Sequence, residues 1–170
     1  MPVLAATARR INGHGCEREA MVRVMASDPT ARFGDLASLL PLTGRWRIDS
    51  DIISGETSFA WSPGRKFLVQ VFDFKRDGRW LDGIEFIGRT TDESGARGAE
   101  ITSRAYFFRD GRTVDSIWRL DDGALTIWQG ERGSDTVMNA RFDADGRRYA
   151  GAWRWPGGGY DFEAHRIGEA

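Results

Sequence analysis

Residues 99–130 read AEITSRAYFFRDGRTVDSIWRLDDGALTIWQG, and the pattern of this stretch decides the fold. Ile101, Ser103, Ala105 and Phe107 alternate with Glu100, Thr102, Arg104 and Tyr106. After Asp110-Gly111, Val114, Ser116, Trp118 and Leu120 alternate with Asp115 and Arg119, and Asp122-Gly123 then leads into a third apolar run. A period of two turns one set of side chains toward a core and the other toward water, as in an antiparallel strand. Asp-Gly between such runs signals a hairpin, because both residues tolerate the positive backbone angles of a tight turn.

Working outward, the same punctuation recurs at Ser54-Gly55, Pro63-Gly64, Asp77-Gly78, Ser94-Gly95, Gly133-Ser134, Asp145-Gly146 and Gly157-Gly158-Gly159. Nine turns predict about ten strands, near 44–51, 56–61, 66–75, 79–88, 99–108, 113–120, 124–130, 135–143, 148–155 and 160–167. A meander of that length removes its exposed edges by closing on itself, so the expected fold is an all-β, closed antiparallel barrel. Upstream, Phe33, Leu36, Leu39 and Leu40 recur at helical spacing, which predicts a short helix over Asp28 to Leu40. Gly34 interrupts it, Pro41 ends it, and its apolar face is expected to cover one end of the barrel.

Composition narrows the partners. The 170 residues hold 24 basic and 25 acidic side chains, a net charge of -1, with both signs mixed along the chain. No basic stripe offers the electrostatic footprint of a nucleic-acid binder, and no apolar run reaches the roughly 20 residues of a membrane helix. The single Cys16 forms no intramolecular disulfide. Arg9-Arg10 is followed by no apolar stretch, so residues 1–28 read as a disordered extension, with Met21 and Met25 as alternative starts, and 29–170 as the barrel domain. The expected location is cytoplasmic, and a homodimer is compatible with the sequence.

Gly44-Arg45-Trp46, after the short helix and at the head of the first strand, resembles the G-x-W opening of lipocalin-like (calycin) barrels. The resemblance implies that a terminal Arg packs over the Trp and closes the base, and Arg166 stands where that residue should. A closer resemblance is to a largely actinobacterial family of lipocalin-like proteins known only as a domain of unknown function. Trp61-Ser62-Pro63-Gly64-Arg65-Lys66-Phe67-Leu68-Val69-Gln70 and Gly83-Ile84-Glu85-Phe86-Ile87-Gly88 carry it, with residues 125–134 and 151–160. Arg89-Thr90 stands where that family usually has Tyr-Asp. The resemblance implies a bacterial lipocalin-like fold from about residue 30 to 167 and no agreed activity.

Small inward positions, among them Ser103, Ala105, Ser116, Ala140, Gly151 and Ala164, favour a cavity in a barrel of this size. The alternative is that seven Trp and ten Phe residues fill the space. Glu85, in an apolar strand, either faces the cavity, where burial would raise its pKa and fit it to acid–base work, or pairs with an exterior Arg. Gln70, Ser103, Ser116 and Gln129 are candidates for orienting a ligand, with Trp118 and Trp153 as aromatic walls. Arg132 would clamp an anion or make a rim salt bridge.

His14, His165 and Cys16 cannot make a zinc cluster of usual spacing, and no nucleophile motif is present. Nitrobindin-like relatives of such barrels hold haem on one His, for which His165 is the candidate; alternation turns it to solvent if Arg166 faces Trp46. The first expectation is therefore a barrel that binds a small, largely apolar molecule and carries no cofactor. The alternatives are a cofactor-independent cyclase or isomerase using Glu85, and a haem protein.

Overall fold

A computed structural model describes residues 36–91 and 97–169. A short 3-10 helix, Ala37–Leu42, is followed by ten strands: β1 (Gly44–Asp49), β2 (Ile53–Trp61), β3 (Leu68–Arg76), β4 (Arg79–Thr91), β5 (Arg97–Phe107), β6 (Thr113–Asp121), β7 (Ala124–Gln129), β8 (Val137–Phe142), β9 (Arg148–Trp155) and β10 (Gly158–Gly168). Each strand pairs antiparallel with its sequence neighbour, and β1 pairs with β10, so the sheet is a closed barrel.

Two turns follow the Asp-Gly logic directly. Asp77 and Gly78 have φ of 48° and 76°, and Asp122 and Gly123 have 47° and 72°. These are the paired positive angles of a two-residue hairpin turn whose twist matches its strands. Ser54-Gly55 differs from expectation: it lies inside β2, and the first turn is made by residues 50–52. There the Ser50 hydroxyl accepts the backbone N–H groups of Ile52 and Ile53 at 3.2 and 3.0 Å. Gly55 marks a close approach instead, since a Cβ there would stand 2.1 Å from the Asp73 carbonyl oxygen. Gly158 and Gly159 likewise belong to β10, leaving Pro156-Gly157 as the turn. Ser94-Gly95 lies outside the described residues, as do the extension over 1–28 and most of the predicted helix.

The described part of that helix corrects the expectation. It is a 3-10 helix that contains Pro41, and its period of three buries Leu36, Leu39 and Leu42 while Leu40 is exposed. An α-helical spacing would have put Leu40 inside.

Antiparallel order sends the turns after β1, β3, β5, β7 and β9 to one end of the barrel. The 3-10 helix and the connections after β2, β6 and β8 lie at the other. At the helix end the Trp46 indole N–H donates to the Leu42 carbonyl at 2.7 Å, and the ring packs edge-on against Tyr149 at 4.9 Å. The Arg166 guanidinium lies 4.3 Å over the Trp46 ring and donates to the carbonyls of Thr43, Pro41 and Gly146. One side chain thus ties the helix, the β8–β9 connection and β1 together. This end is solid.

Candidate functional site

Above that plug the interior opens into a cavity of about 490 Å³, within the roughly 300–1,000 Å³ of small-molecule sites. Its walls are mainly apolar, from Leu42, Phe59 and Leu125 at depth to Phe107, Trp155 and Tyr160 at the mouth. The alternation of β4 directs Gly83, Glu85 and Ile87 inward and leaves Phe86 exposed, so Glu85 faces the cavity.

Glu85 is 8% exposed and belongs to a short chain of hydrogen bonds. The Trp118 indole N–H donates to Ser103 Oγ at 2.8 Å, and the Ser103 hydroxyl donates to Glu85 Oε1 at 2.5 Å. An indole nitrogen can only donate, so Ser103 spends its single proton on Oε1. A proton on Glu85 therefore belongs on Oε2. Burial pushes the carboxyl up to about 7, against the opposing pull of Ser103 and Trp118. Near neutrality Oε2 can thus donate to a carbonyl or hydroxyl oxygen, or accept from a donor.

Gln70 stands directly across from Glu85 on β3, and its amide donates to Thr57 Oγ1 at 3.0 Å. Thr57 passes its own proton to the Val71 carbonyl at 3.0 Å. That leaves the Gln70 amide oxygen as an acceptor beside the carboxyl. Ser116 and Gln129, cross-strand partners on β6 and β7, continue the polar belt around the wall.

Of the residues singled out in the sequence, Gln70, Glu85, Ser116, Trp118, Gln129 and Trp153 line the cavity. Ser103 is buried and holds Glu85 without lining the cavity itself. Arg132 stands on the outer rim, where its Nε donates to Glu100 at 2.6 Å and its guanidinium lies 5.1 Å from the outward Trp128 ring. Its partners Glu100 and Trp128 occupy outward positions of β5 and β7. His165 is also outward, with a half-exposed side chain 3.3 Å from Glu163, and so does not fit an axial haem ligand inside the barrel. Among the described residues no cluster of three or more His, Cys, Asp or Glu could hold a metal ion.

Four lining residues with polar or charged side chains were not singled out: Thr57, Arg76, Arg112 and Thr136. Arg76 shares the parity of Gln70, Phe72 and Phe74, so period two carried the signal. Arg112 lies in the β5–β6 turn, where alternation stops and side-chain direction leaves no trace in sequence.

No known protein family matches the chain, and no curated protein matches it.

Proposed function

We propose that this protein is a lipocalin-like container that holds a small, largely apolar molecule in its barrel, with Glu85 as the polar anchor. The observation that carries this reading is a buried carboxyl, oriented by Ser103 and Trp118, on the wall of an otherwise mainly apolar cavity. Burying a carboxyl among apolar groups costs stability, which the single hydrogen bond from Ser103 offsets only in part. Apolar walls would supply the affinity, and Glu85 with Gln70 would fix the orientation of a ligand oxygen.

Native mass spectrometry of protein purified from its own host tests the reading. A bound mass released on denaturation supports it. A clean apo mass, together with no quenching of the cavity tryptophans by apolar probes, would sink it.

A second reading is favoured by one observation, the poise of Glu85 near neutrality. In that reading the barrel folds a substrate and Glu85 moves a proton, as in a cyclase or isomerase. Glu85→Gln separates the two: in a container it changes ligand affinity with no reaction to lose, whereas in an enzyme it removes turnover.

A further inference from the structure

Among the described residues lining the cavity only three carry charge: Glu85 at mid-depth, and Arg76 and Arg112 at the open end. Arg76 is inward at the last position of β3, and its guanidinium carbon lies 5.1 Å from the Trp155 ring centre and 5.7 Å from that of Tyr160. Around the barrel β3 is separated from β10 by β2 and β1. The side chain therefore reaches over the mouth toward these rings, partly exposed. Arg112 rests 4.1 Å from the Phe107 ring centre.

A guanidinium held against aromatic rings keeps N–H donors, in a rigid fork suited to an oxyanion. Each guanidinium also pairs with a carboxylate, through its Nε. Asp77 is 3.7 Å from Arg76 Nε, and Asp110 is 3.1 Å from Arg112 Nε. Both belong to exposed turns and neither lines the cavity.

Depth sets the rest of the ligand. Arg79, the partner of Arg76 in the register, lies six residues along β4 from Glu85. Six residues span roughly 20 Å of strand, or about 15 Å along the axis of a barrel with ordinary strand tilt. The wall between these levels is apolar, at Phe72, Phe74 and Leu81.

Resting on the container reading, we infer that the ligand is an elongated amphipathic carboxylic acid. Its carboxylate lies at the mouth against Arg76 and Arg112, its apolar body fills the barrel, and an uncharged carbonyl or hydroxyl oxygen meets Glu85.

The test uses the full chain and three probes, dodecanoate, ω-hydroxydodecanoate and dodecanol, with binding read by tryptophan fluorescence and calorimetry at low ionic strength. Dodecanoate should bind about tenfold tighter than dodecanol, a preference that salt weakens. The ω-hydroxy acid should bind tighter than dodecanoate, and Glu85→Leu should erase only that second difference. Arg76→Gln with Arg112→Gln should bring dodecanoate and dodecanol to similar affinity and remove the salt dependence of their ratio. Wild-type protein that binds dodecanol and dodecanoate equally, or with no effect of salt on their ratio, overturns the inference and leaves the container reading standing. Folded wild-type protein that binds none of the three overturns both. The salt series on wild-type protein keeps the test decisive even if the double variant fails to fold.

Discussion

At the helix-covered end, Leu42, Trp46, Leu68, Ile87 and Ala164 are 0% exposed. At the opposite end the inward positions of the same strands hold Arg76, Trp155 and Tyr160, half-buried around an opening. One alternating pattern thus builds a plug below and a vessel above. The difference lies in what faces each position across the barrel. Below, the 3-10 helix and Arg166 supply the missing partners; above, nothing among the described residues does, and aromatic rings with two guanidinium groups line the rim. Stability should therefore concentrate below and binding above.

The largest test of that contrast is a pair of aromatic truncations. Trp46→Ala should cost about 3–5 kcal/mol, as for a large side chain removed from a packed core, and Trp155→Ala at the mouth about 1 kcal/mol or less. Urea denaturation measures both, and equal costs would break the division.

Next in size is a pH dependence that only the vessel should show. Folding raises the Glu85 pKa from its ordinary 4.5 to about 7, so the folded state holds the proton more tightly than the unfolded one. Its stabilising contribution is complete below about pH 4.5 and is lost as pH rises through 7. The swing is on the order of 3 kcal/mol. Denaturation midpoints followed from pH 5 to about 8 should fall more steeply in wild type than in Glu85→Gln. Identical slopes would show that Glu85 is solvated.

Arg166→Ala should cost about 2 kcal/mol, through the lost cation–π contact and unpaired carbonyls. Arg166→Lys should recover only part, because an ammonium cannot reproduce the planar fork over Trp46. Full recovery by Lys would reduce the clasp to a point charge. Smallest of all is Arg132→Ala, which breaks an exposed rim pair with Glu100 and should change stability by under about 0.5 kcal/mol and leave dodecanoate affinity untouched. A binding loss there would extend the working mouth beyond Arg76 and Arg112.

The strands were legible in sequence because alternation and Asp-Gly turns are local, and both survive into the barrel at Asp77-Gly78 and Asp122-Gly123. Ser54-Gly55 misled because glycine marks close backbone approach as readily as a turn. The helix misled because three-residue and 3.6-residue periods agree on Leu36 and Leu39 and part only at Leu40 and Leu42. At the candidate site, parity alone could not orient Glu85, since β4 is apolar on both faces; its pairing with Gln70 and Ala105 resolves that. Arg132 looked like an anion clamp by composition, yet a turn residue has no parity, and the rim took it outward. Arg112, in a turn for the same reason, lines the mouth with a half-exposed side chain.

The pairing of β1 with β10 also sets a timetable. Thr43 and its clasp Arg166 lie 123 residues apart. A ribosome working at roughly 5–20 residues per second needs about 6–25 s to cover that distance. Throughout that interval β1 offers an unpaired backbone edge, and the strands that will enclose the cavity form only an open, greasy sheet. A chaperone that shields this edge, or a pause that prolongs its exposure, would act on the nascent barrel more strongly than on the finished one.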